Sequence, residues 1–271
     1  MERVPGRIGV AGDWHGNTAW ATRAVRKICA QLPADGPRVI VQLGDFGIWP
    51  GARGREYLSR LDAALAAADA VLWFVDGNHE DFTQLARFPP GPDGRAQVTD
   101  RIWHLPRGHR WRWHGRDWLA LGGAVSLDRA GRTAGADWWP EEEITRAQAG
   151  SVIAAGPADV MVTHECPAGI EHVFPPPPSW WSPADLRRSD AHRALLGEVV
   201  LAVRPRWLMH GHLHLSYQRQ VDLGYGPIDV TGLDCDGAEG GNWAILDITS
   251  LRWLRFQRRP IGKALRSLVS R

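Results

Sequence analysis

The chain has 271 residues, 44% of them hydrophobic, and a formal net charge of +2 from 32 basic and 30 acidic side chains. That is enough apolar material for one large core, too little net charge for a general nucleic-acid field, and no run of about 20 apolar residues for a membrane span. Three cysteines, at positions 29, 166 and 235, give no disulfide framework; with no apolar signal core at the N-terminus they point to a reducing cytoplasm.

Arg7–Gly12 is an apolar run of strand length that ends in GDWHGN (12–17). Trp20, Val25, Ile28, Cys29 and Leu32 then recur at helical spacing, and a second run, Val39–Gly44, ends in GDFG (44–47). Leu58, Leu61, Leu65 and Ala68 mark another helical face ahead of Ala70–Gly77, which ends in GNHE (77–80). The stretch 101–121 alternates large apolar and polar residues and predicts antiparallel strands linking two halves. Residues 122–143 are rich in Gly and Ala, and Pro140 with Glu141–Glu143 reads as a first helical turn. Asp159–Thr163 and Arg206–Met209 are further strand-length runs, ending in THE (163–165) and HGHLH (210–214). The PPPP run at 175–178 reads as an extended surface excursion. The basic stretch 256–271 reads as a solvated tail, which leaves residues 1–255 as one domain. Only Lys27 and Lys263 are lysines, and with the abundance of Ala, Gly, Pro and Trp this points to a GC-rich, bacterial genome.

Strands alternating with helices predict a largely parallel sheet, whose ligands bind outside the carboxyl ends of the strands. All five polar clusters would then face one crevice and supply a ligand set for two adjacent metal ions. Asp13 and His15 are separated by one residue, so in extended backbone both side chains point the same way; His212 and His214 repeat this. Alternation puts His210 on that side too. His104, His109, His114, His172 and His192 fit strand faces or turns, and Cys166 fits a structural neighbour of His164.

The order D-x-H, GD, GNH[E/D], H, GH-x-H, running from Asp13 to His214, resembles the calcineurin-like metallophosphoesterase superfamily. The resemblance implies an α/β fold, a four-layer α/β/β/α sandwich of two mixed sheets flanked by helices. It implies one metal on Asp13, His15, Asp45 and His214, a second on Asp45, Asn78, His164 and His212, and Asp45 as the bridge. His79 would be the general acid, working beside in-line attack by a metal-bridging hydroxide on a small phosphate ester. Imidazole and carboxylate donors suit two divalent transition-metal ions, Mn, Fe, Zn or Co, rather than Ca.

The middle motif departs from the Ser/Thr protein phosphatase branch, which has GDxVDRG where this chain has GDFGIWPG (44–51). Ile48 stands in place of the Asp that orients the catalytic histidine there, and Trp49 in place of a phosphate-binding Arg. Another cation is therefore expected, and Arg129 and Arg132, ahead of Trp138–Trp139, are the nearest supply. The expected activity is hydrolysis of a phosphate ester, either a monoester or a small diester such as a cyclic nucleotide. The alternatives to a phosphomonoesterase are a cyclic-nucleotide phosphodiesterase, a nuclease, for which nucleic acid would be the substrate, or a non-catalytic scaffold on the same fold. Whether a protein partner exists is left open.

Overall fold

The computed structural model describes residues 3–170 and 181–258. The first part runs β1 (Arg7–Ala11), α1 (Thr18–Cys29), β2 (Arg38–Gln42), α2 (Gly51–Ala67), β3 (Ala70–Phe74), α3 (Phe82–Leu85), β4 (Ala96–Gln97) and β5 (Ile102–His104). It continues with β6 (Arg110–Trp113), β7 (Arg116–Leu121), α4 (Arg146–Ala154), β8 (Val160–Thr163), α5 (Pro183–Val203), β9 (Trp207–His210), β10 (Tyr217–Asp222), β11 (Pro227–Gly232), β12 (Trp243–Asp247) and β13 (Arg252–Arg255).

These strands form two mixed sheets, ordered β13-β12-β1-β2-β3-β5-β4 and β10-β11-β9-β8-β7-β6. Period-two alternation sorts the side chains into layers. Val39 and Val41 of β2 face inward to meet Trp118, Val160 and Met209 of the other sheet, while Ile40 faces outward onto Ala24, Ile28 and Leu61 of α1 and α2. Met161 and Leu208 likewise face outward onto Val152 of α4 and Leu196 and Val199 of α5. The result is the helix, sheet, sheet, helix sandwich expected from the sequence.

Helix starts follow local chemistry. Asn17 caps α1 by accepting the Trp20 N–H at 3.1 Å. The turn expected at Pro140–Glu143 is a single 3₁₀ turn, Pro140–Glu142; α4 begins only at Arg146, where Thr145 and Gln148 form a reciprocal capping box.

The stretch 101–121 is not one hairpin. β5 joins the first sheet parallel to β3, and only β6 and β7 pair antiparallel, in the second sheet. Alternation gives strand character but not the sheet an edge strand joins, and the chain crosses between sheets at 105–109, where Gly108 takes φ 89°. The PPPP run and His172 lie outside the described residues. No helix among the described residues is long and apolar enough to cross a membrane.

Candidate metal centre

The turns after β1, β2 and β3 in the first sheet, and after β8 and β9 in the second, deliver the predicted donors to one crevice. Asp13, His15 and His214 form one group and Asp45, His164 and His212 another, with one donor atom per side chain within 4.8 Å of the others in its group. Each group draws on both sheets. Asp45 stands between them, Oδ2 lying 3.4 Å from His15 Nε2 and Oδ1 3.3 Å from His164 Nε2. Asn78 joins the second group with Oδ1 3.2 Å from His164 Nε2, and His214 Nε2 lies 3.1 Å from Asp13 Oδ2. Two donors held at roughly 2.1 Å by one tetrahedral or octahedral ion stand about 3.0–3.4 Å apart, so these spacings fit divalent metal.

The charge balance fits as well. Burial alone would lower both His15 and His164, yet Asp236 and Asp45 at the first, and Asp45 and Asp13 at the second, push each up to about 10. Burial would raise Asp45, but the imidazoles of His164, His79 and His15 hold it well below the usual carboxylate range. His212 is driven well down by burial and by His164, which leaves it neutral. The crevice calls for more positive charge than its side chains carry, and protons on His15 and His164 stand in for cations.

Backbone geometry is committed to the same end. His15, Asp45, His212 and His214 all adopt left-handed φ, at 47°, 50°, 62° and 50°. Such conformations persist only where surroundings enforce them, and they cluster at functional sites. They also interrupt strand alternation, so His210 does not share the crevice with His212 and His214; its Nε2 meets the Tyr217 hydroxyl at 2.6 Å. The glycines of the motifs permit close approach. A side-chain carbon at Gly77 would sit 2.1 Å from Asp45 Oδ1, and one at Gly211 2.2 Å from Asp13 Oδ1.

Several residues that orient the donors were not anticipated from the sequence. Asp236 Oδ1 pairs with His15 Nδ1 at 2.8 Å and its Oδ2 accepts from Asn17 at 2.7 Å, which turns His15 Nε2 toward the crevice. His164 Nδ1 donates to the Leu43 carbonyl at 2.7 Å. Ser126 accepts from the Asn78 amide at 3.1 Å and donates to Glu142 at 2.6 Å, fixing which end of the amide faces His164. Glu80 accepts the N–H groups of Phe46, Gly47 and Ile48 at 2.7, 3.0 and 2.7 Å, clamping the loop after Asp45.

His79 sits at the rim with a quarter of its side chain exposed; its N–H donates to Asp45 Oδ1 at 2.9 Å and its Nε2 lies 3.9 Å from Asp45 Oδ2. Ile48 cannot orient it; the His15 ring stands edge-on to it at 5.6 Å, and Arg132 reaches it with Nη2 3.3 Å from Nε2 while Asp128 holds the guanidinium at 2.8 and 2.7 Å. The two arginines expected to act together are separated. Arg129 lies 3.1 Å from Asp185 and over the Trp138 ring. Trp139 is buried, its indole N–H on Thr83, and Trp138 also lies against Arg188. His104 pairs with Asp76, His114 with the Pro5 carbonyl, and His192 accepts from the Ile144 N–H, while Cys166 is buried against Tyr217. None of these four enters either donor group.

The calcineurin-like phosphoesterase family model matches residues 6–216, which spans every donor above. The chain belongs to that family. A member of the calcineurin-like phosphoesterases stands among metal-dependent phosphoester hydrolases, and divalent ions are what the two donor groups imply. No curated protein matches the chain. Solved structures similar to this family member include the sulfate thiohydrolase SoxB of Thermus thermophilus, at 12% identity and TM-score 0.42, over 92% of this chain and 45% of that one. Another is the phosphopantetheinyl hydrolase PptH of Mycobacterium tuberculosis, at 13% identity and TM-score 0.44, over 86% and 91%. The chain thus spans less than half the length of SoxB.

Proposed function

We propose that this chain hydrolyses a small phosphate ester, a monoester or a compact diester, at a dinuclear centre. Asp13, His15, Asp45 and His214 would hold one ion, and Asp45, Asn78, His164 and His212 the other. The observation that carries the reading is the division of Asp45, one carboxylate oxygen facing each donor group. Ions of the Mn, Fe, Zn or Co class, when bound, supply charge to phosphoryl oxygens and acidify the attacking water.

The chain's own residues supply orientation and proton transfer. His79 lies outside both donor groups and beside them, a position that supports reading its imidazole as the acid for a leaving alkoxide. Burial pushes that imidazole down; Asp45 pulls against this, and Arg132 and His15 add to it. A phosphoryl dianion seated against Arg132 offsets the cationic neighbours and favours the proton on His79. Arg132, held by Asp128, is the cation nearest the acid and takes the place of the arginine that Trp49 does not provide.

Screening the full chain, reconstituted with Mn, Fe, Zn or Co, against aryl phosphate monoesters and diesters tests the reading. Turnover that requires metal is expected. Two bound ions with no hydrolysis of any ester would overturn it.

A further inference from the structure

The metal centre occupies the carboxyl ends of the strands. At the opposite ends of β2 and β3 a cleft of about 510 Å³ opens between the sheets, with the edge strand β6 along one side. Five residues of strand, about 16 Å, separate the two sites.

Arg3, Arg38, Arg95, Arg101, Arg110 and Arg112 line this cleft against only Asp69 and Asp93. The excess of four positive charges is larger than the +2 of the entire chain. Asp93 pairs with Arg95 at 2.6 Å and Asp69 with Arg101 at 3.2 Å. The two central arginines are aimed by neutral groups instead. Arg38 donates to the carbonyls of Pro33 and Ala68 at 3.2 and 2.6 Å, and Arg110 to those of Pro157, at 2.7 Å, and Gly156. A carbonyl fixes a guanidinium without cancelling its charge, and both side chains are half-buried. Nε of Arg110 and the indole N–H groups of Trp73 and Trp111 are buried donors without acceptors, which native interiors rarely leave.

Cations and donors without acceptors are the chemistry of an anion receptor. The ring faces are already taken: Trp73 stacks on Trp113 at 4.9 Å beneath Arg95, and Trp111 on His109 and Trp118 at 5.7 and 5.5 Å. A planar base therefore finds no open face, and the ligand is read through its charge. One orthophosphate would offset at most half of the excess, whereas a phosphate chain reaches arginines on both walls.

We propose that this cleft binds a small polyphosphorylated anion, at a site separate from the metal centre and independent of the phosphoesterase reading. The phosphate chain could be inorganic or the tail of a nucleoside triphosphate. Calorimetric titration of the metal-loaded full chain and of Asp45→Asn with tripolyphosphate, ATP and citrate tests it. One phosphate-chain site per molecule at the cleft is expected in both proteins, with citrate weaker; a further site in the metal-loaded wild type that Asp45→Asn lacks belongs to the metal centre. Equal affinity for tripolyphosphate and ATP assigns recognition to the phosphates alone, and tighter ATP assigns the nucleoside form; both support the site. Arg38→Gln with Arg110→Gln should weaken binding about tenfold or more and leave aryl ester hydrolysis unchanged. If that pair of changes prevents folding, Arg112→Glu decides, because this side chain is 70% exposed and its partners, Asp117 at 4.0 Å and the Gly115 carbonyl at 3.2 Å, are exposed contacts outside the core. Wild-type affinity in Arg112→Glu, binding that vanishes with Asp45→Asn, equal affinity for citrate, or no binding would each overturn the proposal.

Discussion

At the carboxyl ends of β1, β2, β3, β8 and β9 the sandwich gathers carboxylates and imidazoles; at the starts of β2 and β3 it gathers guanidinium groups. Both regions concentrate charge that burial makes costly, but they differ in how it is relieved. His15 and His164 carry protons beside Asp45 and Asp13 and can release them when a cation arrives. Arg38 and Arg110 cannot release protons at all, so only an incoming anion relieves them. Titratable groups make a site that exchanges protons for metal, and arginines make one that recruits counter-charge.

The comparison breaks most completely at Asp45. Asp45→Asn removes the charge shared by both donor groups, so metal content should fall from two ions to below about one per chain. Ester hydrolysis should drop by more than the roughly 10²–10⁴-fold that loss of an acid–base group costs. Elemental analysis beside an activity assay checks both, and two ions retained in the variant would remove Asp45 from its bridging role.

His79→Ala should keep the metal and lose roughly 10²–10⁴-fold in turnover on esters with poor leaving groups, and less on activated aryl esters, whose departure needs little protonation. Equal losses on both, or lost metal, would contradict the acid role.

Arg132→Ala should cost about ten- to a hundredfold in kcat/KM with metal content unchanged, the size of one charge-assisted contact. Arg129→Ala should cost much less, because Asp185 and Trp138 already engage that side chain. A larger loss at Arg129 than at Arg132 would reverse this assignment.

Asp236→Asn should weaken metal affinity about ten- to a hundredfold by loosening His15, as loss of an outer hydrogen bond to a ligating histidine does. Unchanged affinity by metal titration would make Asp236 a bystander.

The smallest effect lies outside both ends. Burial and then Arg107 push His192 down to about 3, below its ordinary value of 6.5. The unfolded chain therefore binds the extra proton between those values, and the contribution, complete above about 6.5, is lost as pH falls toward about 3, with a limiting slope of about 1.4 kcal/mol per pH unit. His192→Gln keeps an acceptor for the Ile144 N–H and removes the titration. Denaturant melts from pH 4 to 7 should show a shallower pH dependence in the variant, and identical curves would refute the assignment.

The donors were legible because each follows a short apolar strand directly, and strand period with chain order is local information. What escaped was the set of groups that aim them. Asp236 meets His15 across 221 positions and Glu142 meets Ser126 across 16, and no spacing rule links such pairs. A faint signal did exist for Asp236: β11 is another apolar run whose end, LDCDG (233–237), carries acids in the manner of the other motifs. Glu80 was visible within GNHE, but its use as a clamp on three N–H groups depends on the turn after β2, which is set by left-handed Asp45. Sheet membership of β5 and the fate of His210 failed for one reason. Alternation presumes that a strand continues, and here glycines and left-handed residues end it.

Both donor groups take side chains from each sheet: Asp13 and His15 with His214, and Asp45 and Asn78 with His164 and His212. An ion held in either is therefore a fastener between the two halves of the sandwich, and the sheets cannot part without giving it up. At free metal a hundredfold above the dissociation constant, one such fastener adds about 2.7 kcal/mol to global stability. The lifetime of the folded chain would then follow the supply of metal around it, and starvation for metal would loosen the whole molecule from the seam between its sheets.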